Sequence, residues 1–384
     1  MASDRRLGRP LSLRLEAPIR LRIVSDLLTR LSRDRLARGE EPLSPEALRE
    51  AMDRGPDELE RMALTYALGL GTPRYTIGEM AEHAGLEPET ASRLWMAFGF
   101  ARPEPDQVAF TDGDLRALRE VRGVLDEAEL ERADVLQLAR LVGQSLARVS
   151  DAAVGVLAQT AGDRTGGDGE PDAADDGTEL AVRLAAAAGS SSMASMERLL
   201  VYTWKRHLAA AIRRVAVRQG TGSTDTTVCV GFADITGFTA LSERLDSRRL
   251  GAFLDRFHAA ADDAVVPPGG RIVKTLGDEI MFVTDRPATG LEIARRLIPG
   301  FESDEGFVRL HVGVAYGAAL SRDGDFYGST VNAAKRLTEG ARPGTALVDA
   351  GLFAAVGDAA RAGLVHAGAV RDVADAWEVA APPA

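Results

Sequence analysis

The chain of 384 residues is long enough for two or three domains, and its 45% hydrophobic but only 5% aromatic composition predicts cores built from Ala, Leu and Val. A net charge of −11 and a pI near 5.1 argue against a protein that clings non-specifically to nucleic acid. A single cysteine, Cys229, excludes an internal disulfide and a Cys-built zinc site, and no apolar stretch reaches the length of a membrane span.

Residues 1–17 form a basic stretch carrying Arg5, Arg6, Arg9 and Arg14, without the apolar core of a signal peptide. The expectation is a solvated, flexible arm on a cytoplasmic protein that is not integral to a membrane. From about residue 18 to 158, Leu, Ile, Val and Ala recur at spacings of three and four, which predicts an all-helical domain. Ser44-Pro45 reads as an N-cap followed by a proline at the first helical position. Residues 75–100 resemble a helix-turn-helix of the winged-helix regulator type. Glu87, Glu89 and Arg93 leave its second helix near neutral, which favours helix packing over DNA reading. Residues 162–178 are rich in Gly, Asp, Glu and Thr and predict a disordered acidic loop within a helical region ending near 192. Helical pattern returns at 179–187 and again over Met193–Arg218, a long helix without internal Gly or Pro. Residues 193–220 are therefore expected to link the helical domain to a catalytic domain over 221–384.

Beyond about residue 225 the texture changes. Strands are predicted at 227–233, 271–275, 279–284, 308–316 and 345–349, with helices near 239–264, 287–298 and 329–340. This predicts one helical layer over a mixed sheet. No G-x-G-x-x-G frame opens a helix after a strand and no Walker A frame occurs, so Rossmann and P-loop sites are not expected. Cys229 lies inside the first strand and reads as a buried small residue.

Two aspartates stand at strand ends. Asp234 lies in Phe232-Ala-Asp-Ile-Thr-Gly-Phe-Thr239, and Asp278 in Lys274-Thr-Leu-Gly-Asp-Glu-Ile-Met-Phe282, near the tip of a hairpin. Two hard oxygen donors beside a glycine turn suit Mg²⁺ and a polyphosphate. A third segment, Asp325-Phe-Tyr-Gly-Ser-Thr-Val-Asn-Ala-Ala-Lys-Arg336, holds Asn332 and Arg336 four apart on a helix.

In these three segments, correctly ordered and spaced, the chain resembles the class III nucleotidyl cyclases. The resemblance implies an α+β multidomain protein: an all-α regulatory domain, then a ferredoxin-like mixed sheet with helices. It implies an adenylate cyclase making 3′,5′-cyclic AMP and pyrophosphate from ATP. By likeness, Asp234, Asp278 and the Ile235 carbonyl hold two Mg²⁺ or Mn²⁺ ions, and Lys274 and Asp325 read adenine. The amides of Thr236, Gly237 and Phe238 cradle phosphate, Asn332 orients the ribose, and Arg336 stabilises charge on the α-phosphate. Arg371 is the candidate for a further triphosphate contact, in a C-terminal stretch that looks shortened. Because the family splits these residues between two subunits, a homodimer is implied. On strand alternation Glu279 points away from the site, and Lys335 and Glu339 read as a solvated helix face.

The whole architecture resembles the actinobacterial pH-sensing adenylyl cyclases, in which the helical domain is autoinhibitory and can bind a fatty acid or other lipid. His207, on the long linking helix, is the candidate for a proton-driven switch. The rival expectation is a helix-turn-helix transcriptional regulator whose C-terminal domain senses nucleotide.

Overall fold

A computed structural model of the chain describes residues 29, 45–55, 62, 65, 68–102, 104–127, 131–163, 191–219 and 226–380. The basic arm, the acidic segment beyond Asp163 and the helical pattern at 179–187 lie outside the described residues. The chain divides into two compact units, Met1–Ile212 and Arg213–Ala384.

The first unit is helical: α1 (Pro45–Arg54), α2 (Ile77–Ala84), α3 (Pro88–Ala97), α4 (Asp112–Glu127) and α5 (Arg132–Asp163), followed by α6 (Ser191–Gln219), which runs through the boundary. Proline stands first in α1 and α3, where its missing N–H is not needed. A capping box opens α2. Thr76 Oγ1 accepts from the Glu79 amide at 3.3 Å, and the Glu79 carboxylate accepts from the Thr76 amide at 2.8 Å. Met80, Leu94 and Phe110 are buried together, so α2 and α3 do pack as a helix-turn-helix. On α3, Arg93 pairs with Glu89 at 3.0 Å, which leaves no basic face there.

The second unit begins with β1 (Thr226–Ile235), then α7 (Phe238–Ser242) and α8 (Ser247–Val265). The single helix expected over 239–264 is thus two, because Asp246 caps a fresh start by accepting from the Arg249 amide at 2.8 Å. There follow β2 (Arg271–Leu276), β3 (Glu279–Thr284), α9 (Pro287–Leu297), β4 (Phe301–Ser303), β5 (Gly306–Val308), β6 (Leu310–Arg322), β7 (Asp325–Tyr327) and α10 (Ser329–Gly340). The unit closes with β8 (Thr345–Asp349), α11 (Ala350–Ala355), α12 (Asp358–Arg361), β9 (Leu364–Val370) and β10 (Val373–Val379). The main sheet runs β2-β3-β1-β6-β8-β10-β9, with β7 paired to β6. The β6–β8 pair is parallel and the others are antiparallel, so the sheet is mixed.

Central strands are buried on both sides. Cys229, Ala233 and Ile235 of β1 face Phe253, Phe257, Leu291 and Ile293 from α8 and α9, while Val228, Val230 and Phe232 share the other core with Ala334 and Leu337 of α10. The expectation of one helical layer is therefore corrected: α10 forms a second, thinner layer on the opposite face. Cys229 is fully buried, and burial, with Asp349 and Asp285 nearby, pushes its thiol pKa up, which makes it inert.

Gly313 is what lets α10 lie close. A Cβ there would fall 2.2 Å from the Thr338 amide nitrogen and 2.5 Å from the Ala334 carbonyl oxygen, so helix backbone rests directly on β6. The Thr338 hydroxyl donates to the Ala334 carbonyl at 2.9 Å and lies 3.4 Å from the Phe232 carbonyl. Gly313→Ala is expected to destabilise the protein by about 2 kcal/mol or more, because the atoms in the way are backbone. Urea unfolding of the variant beside the wild type measures this. An unchanged midpoint would show that α10 is not seated by this contact.

Candidate active site

Asp234 is the penultimate residue of β1, and Asp278 is the second residue of the two-residue turn joining β2 to β3. The two are brought together by the sheet: the Ile235 amide donates to the Asp278 carbonyl at 3.1 Å. Asp234 lies across from Glu279 on β3 and from His311 on β6. Among the described residues, neither Asp234 nor Asp278 has a salt-bridge partner. Burial, then the carboxylates of Asp278 and Glu279, push Asp234 up to about 6, while Lys335 and His311 pull the other way. The carboxylates of Asp234, Asp278 and Glu279 thus concentrate negative charge at this end of β1.

The donor set suits a divalent ion. Among the described residues no group of three or more His, Cys, Asp and Glu side chains gathers to hold a metal. Two carboxylates and a backbone carbonyl leave most of an octahedral shell to water and phosphate oxygens, which is how Mg²⁺ is commonly held. Beside them the Thr236 hydroxyl oxygen is buried with no hydrogen-bond partner, a polar atom left for a ligand to satisfy.

The turn after β1 differs in part from expectation. The Thr236 amide donates to the Arg309 carbonyl at 3.0 Å and so belongs to the sheet. Of the three amides expected to cradle phosphate, those of Gly237 and Phe238 remain, at the start of α7. Gly237 has φ +74°, and open space surrounds its missing Cβ, so the backbone conformation is what requires glycine. The Phe238 ring stacks on Phe253 of α8 at 6.3 Å and anchors the turn.

Lys274 and Asp325, 51 residues apart, meet as an ion pair at 2.5 Å. Lys274 sits on β2, the edge strand, and Asp325 opens β7. The second Asp325 oxygen accepts from the Phe326 amide at 2.8 Å, and the Phe326 side chain is buried at 3% exposure. The carboxylate is thus held from behind while its free face meets the ammonium. The side chains are 34% and 23% exposed, so the pair is reachable from solvent.

Asn332 and Arg336 lie together on the exposed face of α10. Arg336 pairs with Asp372 at 3.6 Å and with none of the residues above. Arg371 stands at the β9–β10 turn with φ +50° and pairs with Glu339 at 3.0 Å. That turn therefore flanks the Arg336 end of α10. The C-terminal stretch around Arg371 is a hairpin, which strand pattern did not announce because most of β9 is exposed. His207 is an exposed residue of α6.

Two site residues escaped the sequence reading. Lys335 reaches Glu279 at 2.6 Å, and Glu279 is only 7% exposed. Lys335 therefore does not belong to a purely solvated helix face, whereas Glu339 is exposed as expected and pairs with Arg371 at the surface. A signal existed: of 46 basic residues only three are lysines, and two of those stand here.

Residues 222–352 match the family model of the adenylate and guanylate cyclase catalytic domain. The chain is 35% identical over 315 residues to an adenylate cyclase of Streptomyces coelicolor (strain ATCC BAA-471 / A3(2) / M145), covering 82% of this chain and 79% of that one. An adenylate cyclase of Streptomyces griseus is 37% identical over 290 residues, covering 75% and 70%. A pH-sensitive adenylate cyclase of Mycobacterium tuberculosis (strain CDC 1551 / Oshkosh) is 31% identical over 314 residues, covering 80% and 78%.

Proposed function

This chain belongs to the class III adenylyl cyclases, and from that premise we propose that it converts ATP to 3′,5′-cyclic AMP and pyrophosphate at two equivalent sites, each completed by a second copy of the chain. The observation that carries the substrate is the Lys274–Asp325 pair. An ammonium donates to the adenine N1 acceptor and a carboxylate accepts from the N6 amine, whereas guanine presents the opposite pattern on that edge.

Asp234, Asp278 and the Ile235 carbonyl would hold two divalent ions, Mg²⁺ or Mn²⁺, whose chemistry is to acidify the ribose 3′-hydroxyl and neutralise the departing pyrophosphate. The 3′-oxygen attacks the α-phosphorus, the bond to the β-phosphate oxygen breaks, and the hydroxyl proton passes to solvent. The Gly237 and Phe238 amides bind phosphate oxygens, helped by the unpartnered Thr236 hydroxyl. Asn332 orients the ribose, Arg336 offsets charge growing on the α-phosphate, and Arg371 on the adjoining turn contacts the triphosphate.

Support for the shared site comes from α10. Its Asn332 and Arg336 pair with none of the metal- or base-binding residues of their own chain among the described residues, an arrangement that favours their serving a site on another copy. Exposed Leu276, Leu320 and Tyr327 near Lys274 and Asp325 offer apolar surface for that copy to cover. The test is equal release of cyclic AMP and pyrophosphate from ATP by the full chain. Retention of that activity by Asp234→Ala would refute the assignment.

The helical unit is proposed to restrain the catalytic one, with α6 as the link and protonation of His207 as one input, in keeping with the pH-sensitive relative. Residues 220–384 alone are expected to form cyclic AMP faster than the full chain. His207→Ala is expected to flatten the activity profile of the full chain between about pH 5 and 8. Equal rates for the two lengths would rule out restraint, and an unaltered profile would remove His207.

A further inference from the structure

Glu279 is an expensive residue to place where it is. Its side chain is 7% exposed, it follows Asp278 in sequence, and it lies directly across the β1–β3 ladder from Asp234. A buried carboxylate beside two others needs a counter-charge. Lys335 supplies it at 2.6 Å, with its ammonium 5.8 Å from the centre of the Phe232 ring, and Lys335 is the residue before Arg336.

Three carboxylates and one ammonium carry a net charge of −2. Without Lys335 the cluster would stand at −3, and without Glu279 at −1. Resting on the assignment of Asp234 and Asp278 as metal ligands, we propose that Lys335 and Glu279 are a positioning pair that sets the metal site's charge, so that a cation meets only the charge of the two aspartates. The same pair fastens α10 to β3. A fastener alone and a charge-setting pair make opposite predictions when each partner is removed in turn.

The experiment titrates Mn²⁺ alone into the full-length chain and follows the free-ion electron paramagnetic resonance signal, which needs no turnover. Lys335→Met is expected to tighten Mn²⁺ about tenfold and Glu279→Gln to weaken it about tenfold, the order expected for removing one unit charge beside a divalent site. The double variant is expected within about threefold of wild type, and Lys335→Arg, which keeps the charge, is expected to match it. If Lys335→Met does not fold, the comparison is Glu279→Gln against the double variant, where loss of Lys335 is again expected to tighten binding about tenfold. Single variants that both weaken Mn²⁺, or that both leave it unmoved, overturn the proposal. Asp234→Ala separates the two levels. If it leaves Mn²⁺ affinity unchanged, the metal assignment fails. If it abolishes binding while the two single variants move together, the charge-setting role alone fails.

Discussion

Asp234→Ala and Arg336→Ala are each expected to lower cyclic AMP formation by about 10³-fold, and an equal mixture of the two inactive chains to recover about a quarter of wild-type activity. The losses follow from what each side chain does. Asp234 is half of a carboxylate pair that forms no salt bridge among the described residues, and in the proposed site its removal leaves Asp278 to hold metal almost alone. Arg336 is the one guanidinium on the exposed face of α10, and in the proposed mechanism it meets charge that grows only as the bond to pyrophosphate breaks. Recovery on mixing follows from symmetry. Random pairing makes half of the dimers mixed, and each mixed dimer holds one site with both residues intact and one with neither. Activity measured against mixing ratio should peak near equality. A flat, inactive curve would mean that Asp234 and Arg336 serve the same site from one chain, or that no dimer forms.

Lys274→Ala should lower kcat/KM for ATP by about 10²-fold, with little loss of stability. Stability is spared because the ion pair with Asp325 is about a quarter to a third exposed, and pairs of that kind contribute about 0 to 1 kcal/mol. Recognition suffers more, because a base docked without the ammonium leaves its N1 acceptor unpaired in a partly desolvated site. Replacing the pair by Lys274→Glu with Asp325→Cys is expected to favour GTP over ATP, since the hydrogen-bonding pattern at the base edge is then reversed. Parallel assays with both nucleotides decide the matter. Unchanged preference in the double variant would mean that the base is read elsewhere.

The central strands and α10 were legible because burial on both faces, or on one helix face, forces dense apolar spacing. β1, β3 and β8 fall within a few residues of where Val, Ile, Phe and Ala place them. The placement of Asp234 and Asp278 was legible for a different reason: short stretches of chain fix them at a strand end and a turn. What the sequence hid depends on contacts across long separations. The second helical layer was missed because Ala334 and Leu337 carry no mark saying which face of the sheet they cover. The β9–β10 hairpin was missed because most of β9 is exposed and alternates weakly. Strand alternation alone could not say that a helix lysine would bury the charge of Glu279.

The contact at Gly313 bears on how such an enzyme can be governed. With the amide and carbonyl of α10 seated against β6 and no side chain between them, the helix has no room to rock or slide by itself. Asn332 and Arg336 are carried as fixed points on a stiff body, and a signal cannot retune them one at a time. If the proposed dimer forms the site, the remaining variable is encounter: how often, and at what angle, two such bodies come face to face. Output per molecule should then climb with enzyme concentration at high dilution, as second-order assembly gives way to first-order turnover.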